Sequence, residues 1–109
     1  MSARLSTHVL DLTCGRPAAG MKIDLHNLSI GALLKTVNTN VDGRTDTPLL
    51  IGDELRMGEY ELLFHVGGYF GDKSFLDRVP VRFRIKDVTA SYHVPLLCTP
   101  WAYSTYRGS

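Results

Sequence analysis

The sequence predicts an all-β fold: a sandwich of two sheets with one short helix. Three observations predict it. Short stretches alternate apolar and polar residues with period two. Gly, Pro and Asp-Gly turn signals separate them at close intervals. Most stretches carry a single apolar face, which is what a strand packed against a second sheet requires. The chain has 109 residues, 44% hydrophobic and 21% charged, and reads as one domain over 1–109. A chain of that size folds to about 6,000 Å² of accessible surface and buries roughly two-thirds of what it exposes when unfolded, enough for a core without staples.

The elements follow in order. Residues 4–12 set Leu5, Thr7 and Val9 against Arg4, Ser6 and His8 and predict the first strand. Gly15 to Gly20 breaks the chain around Pro17. Residues 21–28 form a second strand, with Ile23 and Leu25 on one face and Lys22, Asp24 and His26 on the other. Residues 32–41 place Leu33, Leu34, Val37 and Val41 at a spacing that also fits a helix, but Thr36, Val37 and Thr39 favour a strand. Asp42-Gly43-Arg44 predicts a turn of the hairpin type. Residues 58–66 form a strand with Tyr60, Leu62, Phe64 and Val66 together. The run from Gly67 to Asp72 interrupts it, Gly67-Gly68 reading as a turn, and a short helical turn follows through Phe75.

Residues 79–86 give the cleanest strand, with Val79, Val81, Phe83 and Ile85 opposing Arg82, Arg84 and Lys86. Residues 91–98 differ. Tyr92, Val94, Leu96 and Cys98 make one apolar face, and His93, Pro95 and Leu97 make the other largely apolar too. The second face therefore needs a cover, most economically another copy of the chain. Pro95 and Pro100 point to an edge or bulged position. Residues 101–107, rich in Trp, Tyr and Thr, form the last strand.

Composition excludes several functions. Twelve Lys and Arg against eleven Asp and Glu leave a net charge of +1, with no electrostatic reason to expect nucleic acid or an anionic membrane. The two cysteines, Cys14 and Cys98, read as free thiols, with a bridge between them as the alternative. The stretch Met1–His8 has no long apolar region, no run reaches membrane-spanning length, and Arg107-Gly108-Ser109 is no peroxisomal address. The chain is expected to be soluble and cytoplasmic. His8, His26, His65 and His93 show no paired metal-ligand spacing, so no metal site is expected.

Position alone leaves the chemistry open. His8 is a solvent-facing histidine of a sandwich strand. His93 is a histidine at a subunit contact, and Arg44 a solvated loop charge. The two histidines make a general acid/base pair if they meet. His26 and His65 are left as structural or surface residues. An aromatic tail with Tyr103 and Tyr106 is docked rather than loose.

The motifs then become recognisable. Leu5-Ser6-Thr7-His8-Val9-Leu10-Asp11 resembles the opening motif of the 5-hydroxyisourate hydrolases, the transthyretin-like enzymes of urate breakdown. Gly15-Arg16-Pro17-Ala18, Asp42-Gly43-Arg44 and Tyr92-His93-Val94-Pro95-Leu96-Leu97 resemble its later motifs, and Ser104-Thr105-Tyr106-Arg107-Gly108-Ser109 its C-terminal signature. They run in the family's order over almost the whole chain. Transthyretin, the hormone carrier of the same fold, lacks the Tyr-Arg-Gly-Ser ending and the histidine set, which favours the hydrolase branch.

The resemblance implies a transthyretin-like sandwich, assembled as a homotetramer (a dimer of dimers) with sites at the dimer–dimer contact. It implies hydrolysis of 5-hydroxyisourate to 2-oxo-4-hydroxy-4-carboxy-5-ureidoimidazoline by histidine-assisted attack of water on a ring amide. His8, Arg44, His93 and Ser109 are the expected catalytic residues. His8, Arg44, Tyr106, Arg107 and Gly108 are expected to bind substrate. No metal or organic cofactor is implied. The competing expectations are a transthyretin-like small-ligand carrier without catalysis and a plain sandwich interaction module.

Overall fold

In a computed structural model, which describes residues 3–109, the chain forms two facing β layers. The first two residues of the stretch read above for a leader lie outside the described residues. The strands are β1 (Arg4–Ser6), β2 (Val9–Asp11), β3 (Arg16–Pro17), β4 (Lys22–Asn27), β5 (Ala32–Asn38), β6 (Leu50–Ile51), β7 (Gly58–His65), β8 (Arg78–Ile85), β9 (Tyr92–His93), β10 (Leu96–Cys98) and β11 (Tyr103–Thr105). One short helix, α1 (Val66–Phe70), follows β7.

One layer is the antiparallel sheet β5-β4-β7-β8. Its inner face is cut by period-two alternation, as expected: Ile23 and Leu25 of β4, Tyr60, Leu62 and Phe64 of β7, and Val79, Val81 and Ile85 of β8 are buried. β5 is a strand, and as an edge it stays largely exposed. The outer face is polar. There His65 Nε2 lies 2.8 Å from Asp24, and Arg82 Nε donates to Glu61 at 2.9 Å.

The opposite layer consists of β6-β1-β9 and β11-β10-β2-β3, laid end to end. The parallel pairs β1–β9 and β2–β10 share one offset of 87 residues, so they continue a single ladder across the junction. Val94 N–H donates to Ser6 O at 2.9 Å, and Leu96 N–H to His8 O at 2.9 Å. The long first strand and the 91–98 strand are therefore each divided, at Thr7-His8 and at Val94-Pro95. Pro95 has no N–H to give to the neighbouring tail, and its carbonyl accepts the Thr105 hydroxyl at 2.7 Å. Thr7 Oγ1 turns inward and donates to Val94 O at 2.7 Å. The alternation of faces survives the break: Leu5, Thr7 and Val9 are buried, while Ser6 and His8 are half-buried on the outer face.

Two local expectations change. Asp42-Gly43-Arg44 is a turn, but it carries the chain from β5 in one layer toward β6 in the other rather than closing a hairpin. Gly43 adopts φ +72°, and a Cβ there would run into the carbonyl of Val9. The helix lies earlier than predicted, and Gly67-Gly68 sits inside it. Gly67 answers a packing need there: a side chain would press on Asp77, whose Cα would be 3.0 Å away. The 91–98 strand is also covered partly from within, since Pro95 is buried and His93 half-buried in the single chain.

α1 is tied to the sandwich by a buried carboxylate. Asp11, 5% exposed, accepts the Tyr69 hydroxyl at 2.8 Å and Thr13 N–H at 2.9 Å. Burial alone would raise its pKa, but the donors from Thr13 and Tyr69 outweigh it and hold the group below the usual 3.8. Burial, and then the bond to Asp11, push the Tyr69 phenol up to about 12, so it remains a donor. Tyr69→Phe is expected to cost roughly 1–3 kcal/mol in urea unfolding at neutral pH, because the carboxylate loses a donor. A group with a depressed folded pKa stabilises above its unfolded value and loses that contribution as pH falls through the folded one. The gap between wild type and variant should therefore narrow below pH 3.8.

Candidate functional site

The outer face of the divided layer carries the candidate site. Ser6 of β1 stands beside His93 of β9 in the parallel register. Ser6 Oγ is 2.9 Å from His93 Nδ1. The tail runs antiparallel to β10 and then past β9, where Gly108 N–H donates to His93 O at 2.8 Å. Gly108 lies against the imidazole: a Cβ there would stand 3.0 Å from His93 Cγ and 3.1 Å from His93 Cβ and closer still to Cδ2.

Arg44 arrives from the turn after β5. Val9 N–H donates to Gly43 O at 2.8 Å, which fixes the turn on the chain next to His8, and Asn40 N–H donates to Arg44 O at 2.8 Å. Arg4, Ser6, Arg44, Ser91, Tyr92, His93 and Ser109 line a cleft of about 350 Å³. A second cleft of about 290 Å³ shares Arg4, Ser6 and Arg44.

Burial lowers the His93 pKa below its ordinary 6.5, and the cationic Arg44 and then His8 add to the effect, while a main-chain bond to Ser6 works against it. His93 is thus a neutral imidazole near pH 7. His8 is half-buried on the same face, two residues along from Ser6.

The structure therefore gathers His93, Arg44 and Ser109 in one cleft, with His8 near enough to act on His93 electrically. Two expected substrate contacts sit otherwise. The Arg107 guanidinium stacks 4.5 Å from the Tyr92 ring centre and donates to Ser91 O at 3.3 Å. That is the side of a separate groove of about 540 Å³, lined by Val81, Phe83, Thr105 and Tyr106 and free of histidine. Tyr106 is 59% exposed. Gly108 contributes its backbone and its lack of a side chain. Arg4 and Ser6 were missed as site residues, although the period-two pattern had placed both on the face of His8. Among the described residues no group of three His, Cys, Asp or Glu gathers in a way that could hold a metal ion.

The fold and the site define a small two-layer β protein that holds a histidine, an arginine and its own C-terminal serine in one cleft on a sheet face. The sequence profile of the HIUase/Transthyretin family matches residues 5–108, and the chain belongs to that family. It is 54% identical over 117 residues to 5-hydroxyisourate hydrolase 2 of Rhizobium meliloti (strain 1021), covering 99% of this chain and 98% of that protein. Among solved structures, (S)-allantoin synthase superposes with a TM-score of 0.93 at 43% identity, covering 99% of this chain and 44% of that one. The 5-hydroxyisourate hydrolase of Klebsiella pneumoniae superposes with a TM-score of 0.85 at 34% identity, covering 98% and 99%.

Proposed function

We propose that this chain hydrolyses 5-hydroxyisourate to 2-oxo-4-hydroxy-4-carboxy-5-ureidoimidazoline. What carries the reading is the meeting of His93 and Arg44 in one cleft, in a chain 54% identical, end to end, to a protein named for that activity. Neutral His93 takes a proton from water through Nε2 as the oxygen attacks the ring carbonyl. Arg44 offers its fork of N–H donors to the oxygen that becomes negative. The C–N bond then breaks, the nitrogen takes the proton from the imidazolium, directly or through His8, and the products are a terminal ureido nitrogen and a carboxylic acid that loses its proton to solvent. Ser109 closes the cleft, and Tyr106, Arg107 and Gly108 order the tail beside the substrate.

The same reading includes a homotetramer, a dimer of dimers. β8 and β11 each end their sheet without an outer partner among the described residues, and the tail is rich in exposed aromatics such as Trp101, 64% exposed. Unpaired edges and apolar tails are what a second copy would cover. A cytoplasmic location fits two free thiols, Cys14 exposed and Cys98 buried. No helix of the described residues is long and apolar enough to cross a membrane.

The test is to add the protein to fresh 5-hydroxyisourate and follow loss of its ultraviolet absorbance against the spontaneous rate. Acceleration is expected. Tight binding without turnover would move the chain to the carrier reading. The pH profile tests the base. A histidine with a lowered pKa keeps its lone pair down to that value, so the acid limb of kcat/KM should fall below pH 6.5. A limb at or above 6.5 would assign the base elsewhere.

A further inference from the structure

We propose that Ser6 is a positioning residue for this reaction, its hydroxyl accepting the Nδ1 proton of His93 so that Nε2 faces the cleft as the free base. The inference rests on the reading of His93 as the base. Three observations support it. Ser6 and His93 are directly paired across β1 and β9, so the hydroxyl and the ring share one face at one level of the sheet. Ser6 Oγ lies 2.9 Å from Nδ1. The ring is closed in by the tail, since Gly108 leaves no room for even a methyl group beside Cγ and Cδ2, and Gly108 is itself bonded to the His93 main chain.

A neutral imidazole has one proton and two nitrogens. A proton on Nε2 would leave a donor where the mechanism needs a lone pair. Ser6 offers its hydroxyl as the acceptor, 2.9 Å from Nδ1. A hydroxyl can donate to a bare nitrogen or accept from an N–H, and the accepting role is the one that leaves Nε2 its lone pair. Orientation of a catalytic histidine by a partner on its far nitrogen is a general device.

The experiment compares Ser6→Val with Ser6→Thr. The two substituents have the same shape and both suit a strand, but only Thr keeps the hydroxyl. Nitrogen-15 spectra of the His93 ring at pH 8 read the tautomer without any substrate. Wild type is expected as Nδ1–H. Ser6→Val should move it toward a mixture with Nε2–H and lower kcat about five- to ten-fold with little change in KM, as loss of one hydrogen bond would. Ser6→Thr should recover most of both.

A wild-type ring carrying its proton on Nε2 would overturn the proposal. So would Val and Thr variants with the same tautomer and the same kcat. A changed tautomer with an unchanged kcat would overturn His93 as the base, and the role of Ser6 with it. Failure of the hydrolase reading is seen separately, as absence of turnover in the wild-type protein.

Discussion

His93→Asn is expected to lower kcat for 5-hydroxyisourate by about 10²–10⁴-fold, the usual worth of a positioned general base. Asn is the informative replacement. Its amide N–H can occupy the place of Nδ1 beside Ser6 Oγ, so the contact at 2.9 Å can persist. Nothing then stands where Nε2 stood. The fold should tolerate the change, because His93 is half-buried on the outer face while Tyr92 and Val94 on either side carry the core contacts. A thermal midpoint within a few degrees of wild type, together with the rate loss, would separate chemistry from folding. Full activity would remove His93 from the mechanism. A loss confined to KM would turn it into a binding residue.

That prediction draws on features the sequence displays unevenly. Period-two alternation gives the strands of the intact sheet nearly residue by residue, because each has one buried and one open face. β4, β7 and β8 are of this kind. The same signal hides the breaks at Thr7-His8 and Val94-Pro95. Side chains keep alternating through both, and only the backbone bonding changes. β3 and β6, two residues each, are too short to show a period. Gly67-Gly68 looks like a turn by propensity. Both lie inside α1, and Gly67 packs against Asp77, a contact ten residues away that no local pattern reveals.

The site was legible as a set of residue types and not as a geometry. His8, Arg44, His93 and the tail stand out through family motifs, yet motifs do not tell where a side chain turns. Arg107 illustrates this: a neighbour of Gly108 in sequence, it stacks on Tyr92 at the other groove, while Gly108 packs against His93. Ser6 was hidden for a different reason. A serine on an outer strand face is ordinary, and only the parallel register across 87 residues brings it to His93.

Gly108→Ala is expected to cost about 10² in kcat with little loss of stability. The added methyl has no room beside His93 Cγ, Cδ2 and Cβ, and because Cβ is among the atoms it meets, a turn of the ring about χ1 cannot relieve all of the contact. Either the ring is displaced or the tail lifts and breaks the 2.8 Å bond from Gly108 N–H to His93 O. A misplacement near 1 Å at a catalytic group costs about 10²-fold. The tail is peripheral to the buried core, so unfolding should respond weakly. If the ring moves, Ser6 loses its contact and the His93 nitrogen signals change. If the tail lifts, Ser109 leaves the cleft and the spectrum of the ring stays nearly as it was. Nitrogen-15 spectra of the variant distinguish the two, and an alanine variant with full turnover would show that the tail does not hold the base in place.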